Sequence, residues 1–444
     1  MAGTVSFAGI GSGMDVEGLI SSLTQIQEQP ISQEKSKAAG YRAAESSFSD
    51  VGNLLSKLKI ATSALSTAQQ VGSYKASSSS SGITVTANGS AQPGAYDVQV
   101  EQLAQEQRTY SNTFSANALG LSGTLNLGVG TTSAQVKVDA TDTVNTIADK
   151  INGAGLRISA SVFYDGSQYR LQIRGLDTGD GNDLTFGAKG GIGDQLGLLD
   201  PDNTKQSAQS AKVKIDGYEV TSTTNQITGA IPGVTMALTD KTASGTVTID
   251  QDAQGLGTKI QAVVDAYNAV VTQVHTLAGY GQTTAQNPAL QGDSSMRSIA
   301  SRLSSVLTQA VGNGTFQSLG ALGVNLANDG TLSLDQGKLT AALQKDPTAV
   351  SNVLAGTDAV GSTSGTDGIM DLLGKAVDAL NDPNGGVIQS AHDSWDSRAK
   401  SLEDNISKEE DRVTAYGDQL RKTFTAMDTA VAAYKAQLTQ LGGG

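Results

Sequence analysis

Cysteine is absent from the 444 residues, which excludes disulfides, thiolate metal sites and thiol nucleophiles and leaves packing alone to hold the chain together. The absence is compatible with the cytosol and equally with an exterior protein that folds without disulfides. Histidine is scarce. Only His275 and His392 occur, each inside a helical pattern and far apart in sequence, so a metal centre or histidine-based triad would rest on one residue. Charged residues make up 16% of the chain and aromatics 4%, against a usual charged share of about 25%. A net charge of -13 and a pI near 4.6 exclude a protein whose work is neutralising phosphates, which needs clustered Lys and Arg; nucleic acid and anionic membrane drop out as main partners. There is no run of about 18 apolar residues and no basic segment leading into an apolar one, so the expectation is neither a membrane span nor a Sec-type signal. What is abundant is glycine, 52 residues, with long Ser/Thr-rich tracts. That composition is closer to a secreted surface protein than to a cytosolic enzyme, at a length of about three domains.

No motif in the chain has the spacing that chemistry needs. Gly9-Ile10-Gly11-Ser12-Gly13-Met14 has its third glycine misplaced for a dinucleotide loop and no βαβ unit around it. Asp177, Asp180 and Asp183 lack calcium-loop spacing and a following bidentate Glu. No Gly-x-Ser-x-Gly elbow is present. Trp395 opens an apolar helical pattern and reads as a packing residue. Hence no catalytic, cofactor-binding or metal-ligating residue is assigned, no cofactor is expected, and the chain is not read as an enzyme.

The apolar periodicity divides the chain. Val16, Leu19, Leu23 and Ile26 step by four and three, which predicts a short amphipathic helix over 15–29, closed by Pro30. Phe48, Val51, Leu55, Leu58, Thr62 and Leu65 continue the alternation as the seam of a longer helix. From Ser77 the period changes to two. Two half-buried strands are expected at Ile83–Val85–Ala87 and Tyr96–Val98–Val100, with more at Val136–Val138, Ile158–Tyr164 and Leu171–Ile173, and one helix around Val144, Ile147 and Ile151. A second strand group runs through Val213–Ile215, Val234–Leu238 and Val247–Ile249, with Asp216-Gly217 and Pro232-Gly233 as turns. Helical spacing returns from Leu256 to Leu277 and from Met296 to Ala310, the latter capped by Asp293 or Ser294; Asn328-Asp329-Gly330 then reads as a hairpin turn. The final pattern, Trp395 to Leu441, predicts one helix of about 45 residues with a stutter at Tyr416, Leu420 and Phe424.

The fold class read from this order is α+β multidomain: a helical coiled-coil stalk built from both chain termini, carrying discontinuous β-rich head domains. The boundaries expected are a terminal segment at 1–42, disordered in the monomer; a helical stalk domain at 43–75 and 254–400; an inner β-rich head at 76–107 and 207–253; an outer inserted β-rich head at 108–206; and a coiled-coil assembly segment at 401–444. Phe48, Val51, Leu55, Leu58, Leu402, Ile406, Val413 and Leu420 are the candidates for the stalk seam. Val431, Tyr434, Leu438 and Leu441 are the candidates for contacts between subunits, since the short first helix has too little surface to cover the long last one.

Several segments resemble one family. Ala8-Gly9-Ile10-Gly11-Ser12-Gly13-Met14-Asp15-Val16, with Leu19-Ile20 and Gln29-Pro30-Ile31, is similar to the opening of bacterial flagellar filament cap proteins, also called hook-associated protein 2. Ala91-Gln92-Pro93-Gly94-Ala95-Tyr96-Asp97-Val98, Ile231-Pro232-Gly233-Val234-Thr235, Gly292-Asp293-Ser294 and Asp329-Gly330-Thr331-Leu332-Ser333-Leu334-Asp335 follow in that family's order. Residues 143–179 resemble a small β-rich module recurring in flagellins and hook-associated proteins. The C-terminus, Gln440-Leu441-Gly442-Gly443-Gly444, departs from the family pattern.

The resemblance implies a secreted, extracellular protein at the tip of the bacterial flagellum, exported through the flagellar type III channel, that caps the filament and promotes folding and insertion of flagellin. It implies flagellin, hook-filament junction proteins and a flagellar export chaperone as partners, and a homo-oligomeric closed ring of about five subunits. Terminal helices that order on assembly would then bury their stripes against neighbours. The alternative readings are a surface adhesin binding host glycan or mucin through the β-rich head, another axial component such as a junction protein or flagellin, and a polysaccharide-degrading head.

Overall fold

A computed structural model describes residues 15–115, 119–280, 284–311, 314–357 and 365–441. Asp15 starts the first helix, α1 (Val16–Ser63), by accepting the Gly18 N–H at 2.9 Å, as short polar residues do at an N-cap. α1 runs unbroken through Pro30, which corrects the expectation that Pro30 closes a helix over 15–29. Proline removes only its own N–H bond and crowds one carbonyl. That local penalty is outweighed because Ile31 and Ala38, on the far side of Pro30, are buried against Ile406 of the last helix.

The chain folds into two compact units, Met1–Ala68 with Gly257–Gly444, and Gln69–Leu256. The short helix α2 (Ala68–Val71) leads into the second, β-rich unit, where β1 (Tyr74–Ser78), β2 (Ile83–Ala87), β3 (Gly94–Gln102) and β4 (Arg108–Tyr110) precede β5 (Gly123–Val129) and β6 (Thr132–Val138). α3 (Val144–Asn152) is followed by β7 (Ile158–Tyr164), β8 (Tyr169–Gly175), β9 (Leu184–Thr185), α4 (Ile192–Gln195) and β10 (Thr204–Gln206). The unit closes with β11 (Ala211–Ile215), β12 (Tyr218–Ser222), β13 (Gln226–Thr228), β14 (Val234–Leu238) and β15 (Ser244–Gln251).

The two strands expected first, β2 and β3, do not pair with each other. β3 lies central in a five-stranded sheet of order β1-β15-β3-β11-β12, and β2 is the edge of a three-stranded sheet β13-β14-β2. The side chains of both sheets share one core, including Ile83, Val98, Val213, Met236 and Val247. A separate core gathers Leu125, Val136, Ile147, Ile151, Leu171 and Ile173 from α3 and the sheets β10-β4-β8-β7 and β6-β5-β9. The Asp216-Gly217 turn joins β11 to β12 with φ of 49° and 85°. Two consecutive positive φ values fit a two-residue hairpin turn, in which Asp and Gly tolerate the left-handed region.

The helix-rich unit resumes in α5 (Ala253–Ala278) and α6 (Ser294–Leu307), the latter capped by Asp293, which accepts from Ser295 and Met296 N–H. β16 (Val324–Leu326) and β17 (Leu332–Leu334) form the expected hairpin. Three helices escape the sequence reading: α7 (Gln336–Lys345), α8 (Pro347–Ala355) and α9 (Ile369–Leu380). Two of them are nonetheless signalled in the chain, because Asp335 caps α7, and Asp346 followed by Pro347 caps α8. The last helix, α10 (Val387–Leu441), is 55 residues long and begins two turns before Trp395.

Candidate assembly surface on the terminal helices

The helices that frame the chain, α1 and α10, lie side by side, and their cross-helix pairs fix an antiparallel register. Lys35 meets Glu410 at 2.5 Å, Arg42 meets Glu403 at 2.7 Å, His392 meets Glu45 at 3.3 Å, and Glu17 meets Arg421 at 3.1 Å. As one number rises the other falls.

Apolar packing is concentrated at one end of this pair. Phe48, Val51, Leu55 and Leu58 are completely buried, on the stretch of α1 that packs against α9 and the start of α10. Here Lys59 pairs with Asp378, and the Asn381 amide donates to the Gly52 carbonyl at 3.0 Å and to Ser56 Oγ at 3.2 Å. A Cβ on Gly52 would sit 3.3 Å from both Asn381 Oδ1 and Ile388, a tight contact that the glycine avoids where the helices meet. Further along, Ile406 is buried with Ile31 and Ala38, and Leu402 and Val413 pack against them half-buried. Leu420 is half-buried near the level of Glu17 and Arg421. The two halves of the candidate seam therefore occupy different levels. Phe48 to Leu58 meet α9 and the first turns of α10, whereas Leu402 to Val413 meet residues 31–38.

Between those levels sits a polar node that the sequence reading missed. Arg42 holds Glu403 in a fork, Nε and Nη2 at 2.9 and 2.7 Å, while Nη1 donates to Asp396 at 2.7 Å and to Glu45 at 2.9 Å. Lys400 reaches Asp396 from the next turn at 2.8 Å. The guanidinium's fixed fork suits two carboxylates at once. The consequences are mutual: its three carboxylates raise Arg42 further above its ordinary value, Arg42 holds the Glu403 carboxyl below the usual range, and Lys400 with Arg42 does the same to Asp396. Trp395 lies beside the node, stacked at a tilt on Tyr41 with centroids 5.3 Å apart and with Arg398 over its ring at 4.7 Å. It is a packing residue.

Beyond Leu420 the character of α10 changes. Val431 is half-buried, and Met427, Tyr434 and Leu438 are exposed; the Leu441 side chain lies outside the described residues. On α1, Val16 and Ile20 are buried while Leu19, Leu23 and Ile26 are exposed. The motif Gly9 to Met14 also lies outside the described residues. Individual surface ion pairs contribute about 0–1 kcal/mol, and a fully buried Leu or Phe contributes about 2–5 kcal/mol when truncation is the measure. The Phe48 to Leu58 end thus anchors the pair, and the ion pairs mainly set its register.

The remaining chemical candidates are absorbed by structure. Asp177 is forked by Arg157 at 2.7 Å, and Asp180 accepts from the Ser210 N–H. His275 stands edge-on to Tyr280 at 6.1 Å, beside an open pocket that Tyr267, Arg297 and Asp329 also line; burial pushes the Tyr267 phenol up to about 12. No membrane-crossing helix and no metal-binding cluster occurs among the described residues.

Comparison with known proteins places this architecture. The family model described as the flagellar hook-associated protein 2 C-terminus matches residues 208–436, that for its N-terminus matches 12–107, and the flagellin hook IN motif matches 124–177. The chain is similar to the flagellar hook-associated protein 2 of Escherichia coli K12, 28% identical with 98% of each chain covered. It is similar as well to the A-type flagellar hook-associated protein 2 of Pseudomonas aeruginosa, 28% identical with 100% of this chain and 97% of the relative covered. Among solved structures, the crystal structure of the D1-D2-D3 domains of the Escherichia coli flagellar cap protein FliD superposes with a TM-score of 0.67 at 29% identity, covering 79% of this chain and 99% of that one.

Proposed function

The chain belongs to the flagellar hook-associated protein 2 family, and from that premise we propose that it is the structural cap at the distal, extracellular end of a bacterial flagellar filament, where it promotes folding and insertion of exported flagellin and prevents its loss. The observation that carries this reading is the match of nearly the whole chain to hook-associated protein 2, together with the superposition on a flagellar cap protein through both the helical and the β-rich regions. Its work is positional, and the polar groups described above are engaged in holding helices and turns.

Within that reading the β-rich unit serves as the plate and the terminal helices as legs. We take the β-rich unit as two domains, an inner one at 76–107 and 207–253 and an outer one at 108–206; the support is that each has its own core. The segments 1–42 and 401–444 act as terminal assembly segments and 43–75 with 254–400 as the helical stalk domain. Phe48, Val51, Leu55, Leu58, Leu402, Ile406, Val413 and Leu420 act as the seam of the leg, and Val431, Tyr434, Leu438 and Leu441 as contacts between subunits. The partners proposed are flagellin, the hook-filament junction proteins, an export chaperone and further copies of the chain in a closed ring of about five.

The test is electron microscopy of cells lacking the chain, with an assay of flagellin in the medium. Loss of filaments with monomeric flagellin released, both reversed by the intact chain, is the expected result. Normal filaments on the deleted cells overturn the cap.

A further inference from the structure

Two apolar stripes on the terminal helices lie uncovered among the described residues. On α1, Leu19, Leu23 and Ile26 are 45%, 38% and 66% exposed, on the helix flank that adjoins the buried Val16 and Ile20. On α10, Met427, Tyr434 and Leu438 are 39%, 63% and 51% exposed, with half-buried Val431 between them. Both stripes step by fours and threes, the spacing with which one helix lies along another. An isolated exposed leucine is ordinary, whereas a repeated stripe is a surface built to be covered.

The charges beside the stripes select the partner. From residue 15 to 34, α1 and its cap carry Asp15, Glu17, Glu28 and Glu34 and no Lys or Arg. From residue 421 to 439, α10 carries Arg421, Lys422 and Lys435 against a single Asp428. Pairing α1 with α1 would set acid against acid, and α10 with α10 base against base. Arg421 already meets Glu17 across the helix pair of one chain, an intrachain instance of the acid-to-base match.

We propose that the Leu19–Leu23–Ile26 stripe of one copy receives the Met427–Tyr434–Leu438 stripe of a second copy. The interface is heterologous: each copy offers an acidic-flanked socket and a basic-flanked knob. Like-charge repulsion disfavours α1 lying against α1 and α10 against α10, and α1-to-α10 contacts repeated head to tail generate a ring when the rotation closes. The proposal rests on reading the chain as a self-assembling cap and supplies that reading with a polarity.

Because the chain has no cysteine, single-cysteine cross-linking is free of background. Full-length Leu23→Cys and Tyr434→Cys chains are mixed in equal amounts and oxidised, at a concentration where light scattering shows the unaltered chain to be oligomeric. The expected product is the mixed disulfide dimer, one Leu23→Cys chain joined to one Tyr434→Cys chain, several-fold enriched over both self-dimers, with the enrichment falling as salt is raised. Self-dimers at the statistical share overturn the proposal, as does an oligomer that yields no cross-link, or an unaltered chain that remains monomeric throughout its soluble range. As a second arm, full-length Leu23→Asp should lose the oligomer while keeping its helical circular dichroism; an oligomer that persists in this variant also overturns the proposal. Failure of these arms leaves the cap itself standing if deleted cells lose their filaments, whereas normal filaments remove the cap.

Discussion

At the residue scale, a recurrent device is the asparagine that completes a backbone. Asn152 donates to the Ala160 carbonyl at 2.8 Å and accepts the Ala160 N–H at 2.7 Å; Asn225 does the same for Ala104, and Asn268 for Leu332. Each side-chain amide stands in for a neighbouring strand, satisfying both polar groups of one residue. Asn152→Ala should therefore destabilise the β-rich unit by about 1–3 kcal/mol, read as a lower denaturant midpoint at unchanged slope. The Arg42 node gives a prediction about pH. The folded-state pKa values of Asp396 and Glu403 are depressed, by Lys400 with Arg42 and by Arg42 respectively. Their contribution is present above the ordinary carboxylate values of about 3.9 and 4.3 and is lost as pH falls through the depressed ones. Arg42→Ala should lower stability modestly at neutral pH and flatten the acid side of the stability profile, with the gap to the unaltered chain narrowing toward low pH. A gap that widens in acid would contradict the assignment.

At the element scale, α1 shows tertiary packing overriding a local signal. Proline in a helix interior costs about 3 kcal/mol relative to alanine, yet α1 continues because its next turns bury Ile31 and Ala38 on α10. Pro30→Ala should accordingly stabilise the helix pair by up to about 3 kcal/mol, measured by denaturant unfolding followed at a helical wavelength. Unchanged stability would mean that the helix is already interrupted at Pro30 in solution. At the opposite end of α1 the packing carries the energy, so Leu55→Ala, which empties a fully buried site, should cost about 2–5 kcal/mol. The helices α7 and α8 were legible in principle through Asp335, Asp346 and Pro347, with short apolar runs between those caps hiding them, whereas α9 starts at Gly368 without a side-chain cap. The seam residues were legible as apolar periods, but their partners were not. Periodicity states which face is buried and leaves open what buries it.

At the scale of the whole molecule, the chain leaves one compact unit after α1 and re-enters it at α5, with a second unit built from the residues between. Each unit has buried residues of its own, among them Phe48 and Leu55 in one and Leu125 and Ile173 in the other. Units with independent cores can unfold independently, so calorimetry of the intact chain should show at least two transitions. Leu55→Ala and Asn152→Ala should each shift a different one. A single transition moved by both changes would show that the units unfold as one.

The local elements and the class of the fold follow from the order of residues without reference to anything distant. Period-two and period-seven spacing are short-range properties, caps and turns such as Asp293 and Asp216-Gly217 act within a few residues, and a chain without cysteine must rely on packing. Which segments meet was settled only in three dimensions. Strand β3 found β11 and β15 rather than β2, α1 passed through Pro30, and Arg42 closed on Glu403 across 361 residues of sequence. Such contacts form only after distant segments are brought together, and the free energy that selects them comes from burial and charge complementarity shared between those segments. Neither segment carries that information alone.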